Sequence, residues 1–225
     1  FNDNVHLEKI ATSEMDIYKF TPNNSQEDTF GIYFHGGGYY NGSITAYKNI
    51  VSQFTNELQI PMYYFEYSLT PEFLFPAAHE DAKKAVEWLQ NKGISKKDII
   101  LYGESLGTGI AVELASKDNF SGVILESPYT SMVDMGKRFY PFIPVSLLQR
   151  DRYNSIKKIK KINSPILVLH GKADTLVPYY MGKKIYDNAN EPKYSYFPTF
   201  DNHMMAYDQS MINALKNFLN IISRQ

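Results

Sequence analysis

The sequence predicts an α/β fold, a mostly parallel, doubly wound sheet of about eight strands. Three observations carry this. Apolar, β-branched and aromatic runs recur at intervals that leave room for a helix between them. Most of the later runs are continuously apolar, as strands covered on both faces are. The segments between them place apolar residues at helical spacing.

Taken in order, Val5–Ile10 (VHLEKI) and Met15–Phe20 (MDIYKF) alternate apolar with polar residues, the pattern of an antiparallel edge. Phe30–His35 (FGIYFH) and Pro61–Tyr67 (PMYYFEY) follow, with a helical stretch, Ala46–Leu58, between them. Pro76 stands just ahead of Ala78–Gln90 (AHEDAKKAVEWLQ), which is amphipathic at helical spacing. Strands at Asp98–Gly103 (DIILYG), Gly122–Ser127 (GVILES), Pro165–His170 (PILVLH) and Tyr194–Pro198 (YSYFP) come next. Helices at Leu106–Ser116, Tyr180–Asn188 and Gln209–Ile222 complete the pattern. From Met132 to Lys161 no strand pattern appears, and Pro141 and Pro144 punctuate an apolar patch. The chain reads as a single domain over residues 1–225, with a short cap or loop-helix excursion at about 131–162 over the C-terminal edge of the sheet.

Composition narrows the partners. A hydrophobic content of 44% with 15% aromatics supports a sizeable core and excludes a disordered chain. The formal net charge of -1 gives no global field toward nucleic acid or acidic membrane, so no nucleic-acid partner is expected. There is no cysteine, which removes disulfides, thiolate metal sites and cysteine nucleophiles. The compartment stays undecided, with the cytoplasm favoured, and so does the oligomeric state. No run of about eighteen apolar residues exists, so no membrane span is expected in the chain. It begins at Phe1 rather than Met, which implies that something upstream was removed or not included.

The chemistry concentrates after the strand residues IILY, where GESLGTG (Gly103–Gly109) leads straight into a helix. This is G-x-S-x-G in the strand–turn–helix context it requires. Glycines on either side let strand and helix pass, and Ser105 is held on a strained turn with its Oγ standing above the sheet. A phosphate loop is the other reading of these glycines, but the stretch lacks G-K-[S/T], and Val112 stands where a dinucleotide fingerprint has its third glycine.

A serine hydroxyl needs a base, and the base needs an orienting acid. In this topology they follow in the order Ser, acid, His. PILVLH runs into Asp174, and YSYFP is followed by His203, both at the sheet edge where Ser105 emerges. Asp201 and Asp208 are alternative partners for His203. Of the other histidines, His170 is expected to pack at its strand end, His79 to be a surface or cap residue and His6 to be solvated. Just past FGIYFH come Gly36, Gly37 and Gly38, with His35 as a structural organiser of that loop. A tight turn needs one glycine; three suggest bare amides facing a developing oxyanion, and we assign that role to the N–H groups of Gly37, Gly38 and Leu106.

These motifs together resemble the α/β-hydrolase fold superfamily, and the resemblance covers nearly the whole chain. The front half, with HGGGY (His35–Tyr39), EYSLTPE (Glu66–Glu72) and FPAAHEDA (Phe75–Ala82), is similar to the hormone-sensitive-lipase-like carboxylesterases. Their fingerprint runs H-G-G-G, then D-Y-R-L-A-P-E, then F-P-A-A, although their elbow is usually G-D-S-A-G and they carry an N-terminal cap for which this chain has no room. The back half, with GESLG (Gly103–Gly107), LESPYTSM (Leu125–Met132) and LVLHGKADTLVP (Leu167–Pro178), resembles the Bem46-like and serine-aminopeptidase-like hydrolases.

The resemblance implies a serine hydrolase that transfers an acyl group to water through Ser105, His203 and Asp174, with no metal or organic cofactor. Fold and triad carry over from both branches and the substrate from neither, because the branches differ on it; a small-molecule ester is the expected partner. Amide, peptide and thioester hydrolysis use the same triad, and a non-catalytic binding protein on the same scaffold is the alternative from another class. Tyr39, Tyr40, Met204 and Met205 flank the key loops and are candidates for an acyl pocket. A short cap suggests an open cleft and small or medium acyl chains. Between Lys137 and Lys161 stand eight basic residues and one acidic residue, either a solvated face or an attraction for anionic substrates or headgroups.

Overall fold

The computed structural model describes residues 1–12, 15–25, 28–38, 42–69, 72, 76–144 and 153–223. One eight-stranded sheet organises them: β1 (Val5–Ala11), β2 (Asp16–Pro22), β3 (Phe30–Phe34), β4 (Met62–Phe65), β5 (Ile99–Glu104), β6 (Gly122–Glu126), β7 (Ile166–Leu169) and β8 (Lys193–Tyr196). Their spatial order is β1-β2-β4-β3-β5-β6-β7-β8. The pairs β1–β2 and β2–β4 are antiparallel and all the others parallel, so the alternating first two runs do form the antiparallel edge.

Strands β3 to β7 are apolar on both faces because helices cover both. On one side α1 (Ile44–Leu58) and α7 (Gln209–Ile222) bury Val51, Phe54, Leu215 and Phe218 against Tyr33, Tyr64 and Tyr102 of the sheet. On the other, α2 (Ala77–Asn91), α3 (Gly107–Ala115) and α6 (Tyr179–Asn188) bury Ala82, Leu89, Ile110 and Ile185 against Ile32, Leu101 and Val168. Only β8 departs from the expectation of continuously apolar later strands. It is an edge strand with no fully buried residue, so its tyrosines are half-covered. The strandless region holds α4 (Met132–Phe139) and the single turn α5 (Ser155–Lys158).

The chain leaves β3 toward β4 on one side and returns to β5 on the other. The C-terminal ends of β3 and β5 therefore frame the point where strand order reverses, the crevice where ligands sit in open α/β sheets. Backbone packing at this point is unusually close. A Cβ on Gly107 would lie 2.1 Å from the carbonyl oxygen of Phe34, and one on Gly103 would lie 2.7 Å from that of Gly107. Neither neighbour is a side chain that could swing away.

Gly107→Ala is therefore expected to cost about 3 kcal/mol, the upper end for overpacking. Gly93→Ala meets nothing within 4 Å and strains only its φ of +89°, a cost of about 1 kcal/mol. Urea unfolding of the two variants side by side checks the contrast.

Candidate active site

Ser105 follows directly on β5 with φ 49°, a left-handed backbone conformation that costs a non-glycine residue about 1–3 kcal/mol. Two ties hold it there: its N–H donates to the Glu126 carbonyl at 2.8 Å, and its own carbonyl accepts from the Thr108 N–H at 3.1 Å. The Oγ then meets Nε2 of His203 at 2.9 Å, and Nδ1 of His203 meets Oδ2 of Asp174 at 2.8 Å. The three residues come from three loops, after β5, β7 and β8, at one edge of the sheet.

Each partner is itself fixed. Oδ1 of Asp174 accepts the N–H groups of Leu176 and Val177, both at 2.9 Å, leaving Oδ2 for His203. His170, fully buried, places Nε2 3.2 Å from that same Oδ2 and 2.8 Å from the Val177 carbonyl. Burial alone would raise the Asp174 carboxyl, but hydrogen bonds from His170 and His203 outweigh it and hold the group well below the usual carboxylate range. Asn202 joins the acid and histidine loops, its Oδ1 accepting the N–H of Thr175 at 3.3 Å and of His203 at 2.8 Å. Ser127 donates to the carbonyl of His203 at 3.1 Å. The alternative acids are engaged elsewhere: Asp201 accepts the N–H of Ala206 and Asp208 caps α7 through Met211.

The three glycines have separate reasons. Gly37 and Gly38 adopt φ 97° and 67°. Gly36 needs the space, since a Cβ there would lie 2.9 Å from Oε1 of Glu104 and 3.2 Å from the Ser105 Cβ. His35 organises the loop as expected. It is buried against the Tyr67 ring, its Nδ1 lies 2.7 Å from the Gly36 carbonyl, and burial lowers its pKa to about 4. Among the described residues no protein acceptor takes the N–H of Gly37, Gly38 or Leu106. All three residues border the same pocket as Ser105 and His203.

That pocket measures about 570 Å³. Its walls are largely apolar, with Tyr129, Met132 and Met135 on one side, Leu176 and Val177 on the other, and Met204 beside the histidine. Met205 instead is buried in the core between the sheet and α7. Tyr39 and Tyr40 lie outside the described residues. His79 corrects the expectation of a surface residue. It is buried within α2 against Tyr153, and burial lowers its pKa to about 4.

Sequence reasoning missed a buried acidic layer under the site. Glu104 and Glu126, which end β5 and β6, sit opposite each other in register. Tyr33 donates to Glu104 at 2.6 Å, and the Gly36 amide and Tyr47 hydroxyl are directed at it as well. Tyr102 and Tyr207 donate to Glu126 at 2.6 and 2.8 Å. Burial raises the Glu104 carboxyl, and burial plus the neighbouring Glu104 charge push Glu126 up to about 8. The available signal was a glutamate closing each of two otherwise apolar strands. Among the described residues no group of three or more His, Asp or Glu is placed to hold a metal ion.

A family model described as the alpha/beta hydrolase fold matches residues 31–193, which include Ser105 and Asp174. The chain belongs to the α/β-hydrolase fold family. An α/β-hydrolase by name from Acanthamoeba polyphaga mimivirus is 30% identical over 199 residues, 84% of this chain and 74% of the relative. An uncharacterized protein of Mycobacterium tuberculosis is 34% identical over 143 residues, 62% of this chain but 51% of the relative, so this α/β-hydrolase spans about half that relative's length. Among solved structures, an esterase from the bacterial hormone-sensitive lipase family superposes with a TM-score of 0.77 at 18% identity, covering 100% of this chain and 86% of that one. At that identity the likeness concerns the fold.

The acidic layer gives a pH prediction. Unfolded, Glu126 titrates near 4.5; folded, at about 8. Between those values the folded state keeps a proton that the unfolded chain has lost. The stability this contributes is full below the unfolded value and drains away as pH rises through the folded one. The urea midpoint should therefore fall from about pH 5 to about pH 8 in the wild type, and fall less in Glu126→Gln.

Proposed function

We propose that this α/β-hydrolase cleaves carboxylic esters of small or medium acyl chains, with Ser105 as nucleophile, His203 as general base and then general acid, and Asp174 as orienting acid. The observation that carries the reading is the unbroken line from Ser105 Oγ to His203 Nε2 at 2.9 Å and from His203 Nδ1 to Asp174 Oδ2 at 2.8 Å. Each contact lies within hydrogen-bond reach before any substrate arrives.

The steps follow from these atoms. Oγ of Ser105 attacks the ester carbonyl carbon while Nε2 of His203 accepts its proton, and the carbonyl π-electrons move onto oxygen. The N–H groups of Gly37, Gly38 and Leu106 stabilise that oxyanion in a pocket that screens it little. The intermediate collapses, the C–O bond to the alcohol breaks, and Nε2–H protonates the departing alkoxide. An acyl-enzyme remains. Water then repeats the sequence with His203 as base, releasing the acid and restoring Ser105. Throughout, Asp174 stays ionised, held so by His170 and the two loop amides, and stabilises the imidazolium. Met132 and Met135 of α4 line the pocket.

Hydrolysis of a p-nitrophenyl ester series from acetate to laurate tests the assignment. Ser105→Ala and His203→Ala should each lose on the order of 10⁶ in kcat, and Asp174→Asn about 10⁴. Along the series kcat/KM should rise about fourfold per CH2 until the apolar walls are filled, the equivalent of about 0.8 kcal/mol per buried CH2. Wild-type inactivity on every ester, or full activity in Ser105→Ala, contradicts it.

A further inference from the structure

The large apolar side chains left exposed among the described residues are not scattered. Apart from Phe1 and Tyr180, all belong to three segments whose Phe139, Tyr140, Leu176 and Met204 border the pocket. The end of α4 and the turn after it present Phe139, Tyr140 and Phe142, the last 99% exposed. The loop into α6 presents Leu176, and the loop that carries His203 presents Phe200 at 91% and Met204 at 58%. Hydrogen bonds join the three. Arg138 donates to the Thr175 carbonyl at 2.9 Å, and the Thr175 N–H donates to Asn202 at 3.3 Å. Single exposed apolar residues need no explanation; a joined rim of them does.

Exposed charge on this rim is mainly basic. Lys137, Arg138, Lys172 and Lys184 stand exposed around the aromatics, with Lys184 over the ring of Tyr180. Each acid of these segments has a partner: Asp174 holds His203, Asp134 accepts from Thr130, Asp201 accepts from Ala206, and Asp187 pairs with Lys183. The rim is thus basic in a chain whose net charge is -1. Aromatic tips ringed by cations match a surface that is apolar below and anionic at its face. No helix among the described residues is long and apolar enough to cross a membrane, so contact of this kind is peripheral.

We propose that this rim docks the protein on an anionic lipid bilayer, with Phe142 and Phe200 inserting among the acyl chains and Lys137, Arg138, Lys172 and Lys184 facing the headgroups. The pocket mouth then opens onto the bilayer. An amphiphilic ester can pass from lipid to Ser105 without crossing water, a consequence that rests on the esterase reading, whereas docking itself does not.

Flotation of the full chain with unilamellar vesicles tests it, using phosphatidylcholine alone or mixed with phosphatidylserine. The wild type should float with the phosphatidylserine vesicles, less so as salt is raised, and only weakly with phosphatidylcholine. Phe142→Ser and Phe200→Ser should each weaken binding about tenfold, and Lys137→Glu by a factor of several. Neither phenylalanine lines the pocket, so all three variants should keep wild-type thermal midpoints and rates on a soluble short-chain ester. Equal flotation of wild type and the double phenylalanine variant overturns the proposal, as does equal binding to both vesicle types or none to either. It is also overturned if sedimentation shows a wild-type dimer that the double variant loses, since the rim is then a self-interface. Because binding is read without turnover, an inactive protein that still docks defeats the esterase reading alone, and an active protein that does not dock defeats only this proposal.

Discussion

The site depends on how closely three backbones approach where β3, β5 and α3 meet. The carbonyl of Phe34 occupies the place where any side chain at position 107 would begin, and position 103 is pressed the same way by Gly107. That proximity forces the turn between strand and helix to be sharp. The sharp turn puts Ser105 at φ 49°, and the β6 carbonyl of Glu126 keeps it there. It also brings the glycine loop after β3 beside the elbow, so that Gly36 lies against Ser105. Strained serine, bare amides and open pocket are consequences of one packing arrangement, with the strain offset by the sheet around it.

Electrostatics divide the site into two carboxyl environments. Asp174 is buried yet ionised, because two histidines and two loop amides converge on it. Glu126 is buried with only tyrosine hydroxyls for partners and another carboxyl opposite, so its proton stays on up to about pH 8. Hydrogen-bond donors set the difference more than depth does. The tyrosine–glutamate layer ties the ends of β3, β5 and β6 together beneath Ser105, and through Glu104 it reaches the glycine loop.

Much of this was legible in the residues, for identifiable reasons. The first two strands announce themselves by alternation and the later six as runs of branched and aromatic residues, and the helices between them as apolar faces. Ser105, Asp174 and His203 could be placed because strand ends and chain order constrain where an acid and a base can stand; the structure brings all three together. What escaped notice depends on pairing across the sheet. Nothing local says that Glu104 opposes Glu126, or that Tyr33 and Tyr102 point their hydroxyls at them, since that follows from register and strand order. His79 was readable in principle: it shares a helical face with Ala82 and Val86, the buried face of α2. Met205 shows the limit of proximity in sequence, one residue past Met204 yet turned into the core.

The most direct test of the central claim is the intact mass of the protein after exposure to a serine-directed phosphonate, followed by mapping of the modified peptide. The account predicts one adduct per chain, located on Ser105, absent from Ser105→Ala and strongly slowed in His203→Ala. An unmodified wild type, or an adduct on any other residue, would contradict the proposal that Ser105 is a nucleophile activated by His203.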